Sequence, residues 1–198
     1  MRITSLSSIL IAMSFFVFLE LSYSTEQKGG ELDGVKTDAQ IKRGEYLVNF
    51  GGCNDCHSPK VFTPKGPMPD PDRLLSGHPS GEKLPNLPKD LIAPDKWGGL
   101  FTNDLTAWVG PWGVTFASNL TPDEQTGIGL WTEELFIKTM RTGKHLGAGR
   151  DILPPMPWFD LAKLNDDDLK AIFAYLRSIK PIKNAVPAPI PPSDLVHD

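Results

Sequence analysis

The run Gly51-Gly52-Cys53-Asn54-Asp55-Cys56-His57 holds both cysteines of a 198-residue chain, with a histidine directly behind the second. Two thiols three residues apart, with none elsewhere, cannot form the cross-linked framework that staples small exported domains. The fold must therefore rest on an apolar core, and a composition 40% hydrophobic and 22% charged is ample for one ordinary domain. The cysteine cluster is then a site rather than a scaffold.

C-x-x-C-H is the attachment pattern of a c-type haem. Two thiols at this spacing reach the two vinyl groups of one porphyrin while the adjacent imidazole arrives at the iron. Two other chemistries use part of the pattern. A dithiol redox site calls for a βαβ surround, whereas the flanking sequence reads as helical. A zinc site needs a fourth ligand, usually from a second cysteine pair. The expectation is one covalently bound haem c, held by Cys53 and Cys56, with His57 as proximal iron ligand through one ring nitrogen.

The rest of the chain supplies the context. Arg2, an apolar stretch from Ile9 to Leu19 and small residues at Ser22 and Ser24 lay out a signal peptide over 1–24. The apolar run is shorter than the roughly 20 residues a spanning helix needs, so the expectation is periplasmic or other export with no spanning helix in the mature chain. A flexible leader follows over 25–36. Formal charge is −4 with no basic run, which excludes a nucleic-acid-binding face.

Helical spacing marks three segments. Thr37 or Asp38 caps a helix running to Phe50, with Ile41, Gly44, Leu47 and Val48 on one face and Gly51-Gly52 as its stop. Thr132 caps a second, which Gly143 ends. Asn165 caps the last, where Leu164 can staple against Leu169. Leu169, Ile172, Phe173, Leu176 and Ile179 form its apolar stripe, and Pro181 stops it. Between Ser58 and Pro94 the chain is dense in proline, which denies helix and ladder their donors. Trp97, Trp108, Trp112 and Trp131 follow, an aromatic stretch suited to covering something apolar. With no convincing alternating strands, the fold class expected is all-α.

The second axial ligand has several candidates. Met140 falls within a helix and is expected to pack, and His197 lies in the terminal tail; Met68, His78 and His145 remain. Met156 in "ILPPMPWFD" has prolines on both sides that stiffen the backbone and present one side chain in a fixed direction. It is the expected ligand, and a thioether there raises the haem potential relative to imidazole.

A haem motif after the first helix, "LPPMPW" before the last and "LNDDDLKAIFAYLRSIKP" at the close resemble a single-haem cytochrome c domain. "FASNLTPDEQTGIGLWTEELFIKTMRTGK" is similar to the haem modules of multi-haem cytochrome c subunits that serve membrane dehydrogenases such as alcohol dehydrogenase. The resemblance covers Thr37 to His57 and Gly113 to Pro187. It implies a cytochrome c-like domain over 37–187, an extended tail over 188–198, and first and last helices crossing at Gly44 against Phe173 or Tyr175. It also implies that Cys53, Cys56, His57 and Met156 occupy the attachment and axial positions, with the Pro59 carbonyl accepting the histidine ring proton. The chain departs from those relatives in its single C-x-x-C-H and in a long insertion over 58–112.

The function implied is one-electron transfer without bond-making, between redox partner proteins: a dehydrogenase, an oxidase or another cytochrome. The chain is then no enzyme, though it can be a subunit of an oxidoreductase complex. The alternative is a haem enzyme or ligand sensor whose distal site exchanges, with His78 able to replace Met156.

Overall fold

The computed structural model describes residues 37–87 and 95–195. The signal peptide and leader expected over 1–36, and His197, lie outside the described residues. No helix among those described is long and apolar enough to cross a membrane.

Local signals made the helices. The Thr37 side chain accepts the Gln40 N–H at 3.2 Å and starts α1 (Asp38–Phe50). After α2 (Cys53–His57), the Thr132 hydroxyl caps α3 (Glu133–Thr142), which stops where Gly143 turns to φ 64°. A four-residue α4 (Trp158–Leu161) precedes α5 (Asp166–Ser178), whose cap Asn165 accepts the Asp168 N–H at 2.7 Å. Val48 from α1, Phe136 and Met140 from α3, and Leu169, Ile172, Phe173 and Leu176 from α5 close one core with Leu75 and Ile128. The Phe136 and Phe173 rings meet at 5.3 Å.

α1 and α5 cross at Gly44. A Cβ there would stand 1.9 Å from the Ala171 carbonyl oxygen and 2.8 Å from Tyr175 Cβ. The absent side chain lets the backbones meet, which offsets the cost of glycine inside a helix.

The all-α expectation is wrong. Among the described residues, five strands in two sheets stand beside the helices. An antiparallel hairpin joins β1 (Lys60–Thr63) to β2 (Gly66–Pro69), and a three-stranded antiparallel sheet orders β3 (Leu100–Phe101), β4 (Ala107–Gly110) and β5 (Gly113–Phe116). The β4–β5 hairpin does alternate. Ala107 and Val109 pair with Phe116 and Val114, and all four are buried in a second core that takes in Leu84, Leu87, Leu100, Val186, Ile190 and Leu195. Strands of two to four residues are too short for a period of two to stand out, and the tryptophans between them read as cover. The sheet's missing neighbour comes from the far end of the chain: Ile190 and Val114 exchange two backbone hydrogen bonds, at 2.8 and 3.0 Å.

Candidate haem-attachment site

The site begins where α1 ends. The Gly51 N–H bonds the Leu47 carbonyl at 2.8 Å, and Gly52, at φ 64°, redirects the chain into the five-residue α2. Only glycine takes that turn without strain, and a Cβ on Gly52 would lie 2.8 Å from Asp55 Oδ2. Cys53 and Cys56 thus stand on one turn of one helix, both half-buried and both free thiols.

Their protonation separates the competing chemistries. Burial pushes the Cys53 thiol up to about 11 and raises Cys56 as well, where the charge of Asp55 adds to the effect. Both thiols stay protonated at neutral pH. A dithiol redox site needs the opposite, a stabilised thiolate, and although Cys53 begins α2 and Lys60 is near Cys56, burial outweighs both effects. The site is therefore poorly suited to exchange chemistry.

His57, the last residue of α2, is buried, with its Nδ1–H donating to the Ser118 carbonyl at 2.8 Å. This bond fixes the tautomer and leaves Nε2 with its lone pair. Burial lowers the His57 pKa, only partly countered by the Ser118 carbonyl, so the ring is neutral as a metal ligand requires. Two thiols and a ring-locked neutral imidazole on one short helix fit the attachment and proximal ligation of a c-type haem.

The Ser118 carbonyl takes the place expected of Pro59. The Pro59 carbonyl instead accepts the Asp70 N–H at 2.8 Å, closing the β1–β2 hairpin. Ser118 is brought in from behind. His78 N–H bonds the Ala117 carbonyl at 2.9 Å, Leu120 N–H bonds the Leu75 carbonyl at 2.8 Å, and Gly77 N–H bonds the His57 carbonyl at 2.7 Å. Gly77 sits at φ 79°, where a Cβ would lie 2.5 Å from the Ala117 oxygen. Sequence reasoning missed Ser118 because any residue offers a carbonyl.

Two side chains brace the exit of α2. The Ser58 hydroxyl, fully buried, donates to Asn54 Oδ1 at 2.7 Å and accepts the Leu75 N–H at 2.8 Å. Lys60 Nζ donates to the Ser58 and Asn54 carbonyls. A cation satisfying the last carbonyls of a helix also suits its dipole.

The other ligand candidates are distributed through the fold. Met140 is in the core, as its helical position implied. Met68 lies on β2 and is exposed. His145 packs edge-on to Trp131, its ring centroid at 5.9 Å. His78 is fully buried, bonded to Thr106 Oγ1 through Nδ1 at 2.8 Å and to Ala117 through its backbone. That backbone bond ties it to the residue before Ser118, whose carbonyl accepts from His57 Nδ1. Met156 lies half-buried on the loop entering α4, where the Trp158 N–H bonds its carbonyl at 2.9 Å. Cys53, Cys56 and His57 thus share one helix, and Met156 belongs to a separate loop between α3 and α5.

This donor set is compatible with a haem, and the chain is homologous to cytochrome c subunits of dehydrogenases. It is 30% identical over 154 residues to the gluconate 2-dehydrogenase cytochrome c subunit of Pantoea cypripedii, an alignment covering 77% of this chain and 26% of that protein. It is also 30% identical over 146 residues to the cytochrome c subunit of the quinone alcohol dehydrogenase of Gluconobacter oxydans, covering 73% and 23% respectively. The fructose dehydrogenase cytochrome subunit of Gluconobacter japonicus is 36% identical over 86 residues, 43% of this chain and 17% of that protein. The chain spans about a quarter or less of the length of these relatives. No protein-family profile matches it.

Proposed function

We propose that this chain is an exported single-haem c-type cytochrome carrying one electron between redox partner proteins, a dehydrogenase foremost among them. Cys53 and Cys56 form the two thioether bonds, His57 Nε2 is the proximal ligand and Met156 the distal one. A haem bound there supplies one-electron exchange at iron. The protein's part is to hold both ligands through the redox cycle, exclude water and set the potential by what surrounds the iron.

The observation that carries this reading is the bond from His57 Nδ1 to the Ser118 carbonyl, directly behind a pair of free thiols on the same helix. An imidazole so held presents Nε2 in one direction and gains basicity as a ligand. The homologous cytochrome c subunits support the same role, and the part of the chain that binds haem is assigned to 37–187, after export directed by 1–24. Met156 is preferred to His78 as the distal ligand because the His78 ring is already engaged by Thr106 Oγ1.

The deciding experiment is a pyridine haemochrome spectrum on protein exported by cells with a working haem-attachment pathway, recorded after acid organic extraction. A c-type spectrum that stays with the polypeptide supports the reading. Haem that washes out, or never appears, defeats it.

A further inference from the structure

Behind the attachment helix lies a second constellation that haem chemistry does not use. A ring nitrogen of His78 and carboxylate oxygens of Glu82 and Asp104 lie within 4.8 Å of one another. His78 is fully buried and Asp104 nearly so, while Glu82 is exposed.

The protons in this cluster can be assigned by counting. The Thr106 hydroxyl has one hydrogen, and Asp104 Oδ2, at 2.5 Å, is acceptor-only when ionised, so the hydroxyl donates to Asp104. It must then accept from His78, whose Nδ1 lies 2.8 Å away and carries the ring proton. Nε2 is therefore the nitrogen with a free lone pair, and it is enclosed with no hydrogen-bond partner. A buried acceptor left unpaired is costly, and two neighbouring carboxylates repel each other. No ion pair among the described residues includes Glu82 or Asp104.

We propose that His78, Glu82 and Asp104 form a divalent-cation site, independent of the haem, for a borderline first-row ion such as Zn²⁺. One imidazole nitrogen with two carboxylates is a donor set for zinc rather than for calcium, which takes oxygen ligands almost throughout. His78 Nδ1–H passing through Thr106 to Asp104 is the outer hydrogen-bonding that orients a ligating imidazole. Glu82 is exposed and its side chain is long, so the set can contract onto an ion with bonds of about 2.0–2.2 Å, water completing the shell. Such an ion joins the turn after Gly77 to the turn before β4. The first is tied to His57, whose carbonyl accepts the Gly77 N–H, and the second to the segment before Ser118, since Ala117 N–H bonds the Thr106 carbonyl.

The test is a calorimetric titration of Zn²⁺ into the full chain with its haem content measured, after chelator treatment and dialysis, together with thermal unfolding with and without the metal. One equivalent of Zn²⁺ is expected to bind and raise the melting temperature. Glu82→Gln, at an exposed position, should keep the fold and weaken binding at least about tenfold, with a smaller thermal shift at the same Zn²⁺ concentration. Thr106→Val should weaken it by about 10- to 100-fold by releasing the His78 ring. Absence of a one-equivalent site in the wild type, or unchanged binding in Glu82→Gln, overturns the proposal. Haem retention is read separately in the same samples, so failure of the zinc site and failure of the cytochrome reading are distinct results.

Discussion

The Ser118 carbonyl accepts the His57 ring proton at 2.8 Å from 61 residues further along the chain. The imidazole beside the cysteines is therefore aimed by a segment after the last strand, not by its sequence neighbours. Gly77, wedged between the His57 carbonyl and the Ala117 backbone, allows that segment to come close enough.

Changing Cys53 and Cys56 together to alanine is expected to abolish covalent haem. The check is a haemochrome spectrum on extracted polypeptide, and full retention of haem by the double variant would refute the assignment of both thiols. Since burial keeps both thiols protonated, wild-type apoprotein should also alkylate slowly at neutral pH.

Met156→Ala should lower the midpoint potential and open the iron to carbon monoxide, because a thioether stabilises ferrous iron and blocks the sixth position. Redox titration and carbon monoxide difference spectra read both effects. Unchanged values in the variant would remove Met156 from the axial position.

Gly44→Val drives a side chain into the Ala171 carbonyl, where even a Cβ would sit at 1.9 Å. Forcing α1 from α5 should cost about 1–3 kcal/mol or more, visible as a lower denaturant midpoint. A variant as stable as wild type would mean that the helices do not cross there.

Arg43 holds the Asp168 carboxyl below the usual carboxylate range through a hydrogen bond from Nε at 2.8 Å. A carboxyl depressed in the folded state adds stability that is fully present above its unfolded pKa and is lost as pH falls through the folded one. Arg43→Gln should therefore destabilise the protein at neutral pH, and the gap from wild type should close in acid. Unfolding curves taken from pH 7 downward measure it; a gap that does not begin to narrow below the ordinary carboxyl pKa of about 3.9 would assign the effect to packing of the Arg43 stem instead.

The helices, and the place of the C-x-x-C-H run at the exit of the first, were legible because their causes are local. Thr37, Thr132 and Asn165 cap the helices as the residue types imply, and Leu169, Ile172, Phe173 and Leu176 are buried as their spacing implies. The two glycines after Phe50 end α1. Each of these effects acts over one or two turns of chain, within reach of a reader who knows only the neighbours.

Strands and the acceptor for His57 were not legible, because their causes are distant. Val114 belongs to a strand on account of Val109 on one side and Ile190 on the other, and the latter pairing closes across most of the C-terminal half of the chain. The Pro59 carbonyl bonds the Asp70 N–H of a hairpin, and the Ser118 carbonyl takes the histidine proton because Gly77 and His78 drew that segment in. Residue identity alone thus nominated the candidates for haem chemistry: two thiols, the imidazole beside them and a methionine between prolines. Which carbonyl orients the imidazole, and which buried nitrogen is left without a partner, depended on long-range packing, since a backbone hydrogen bond goes to whichever group the folded chain brings within about 3 Å.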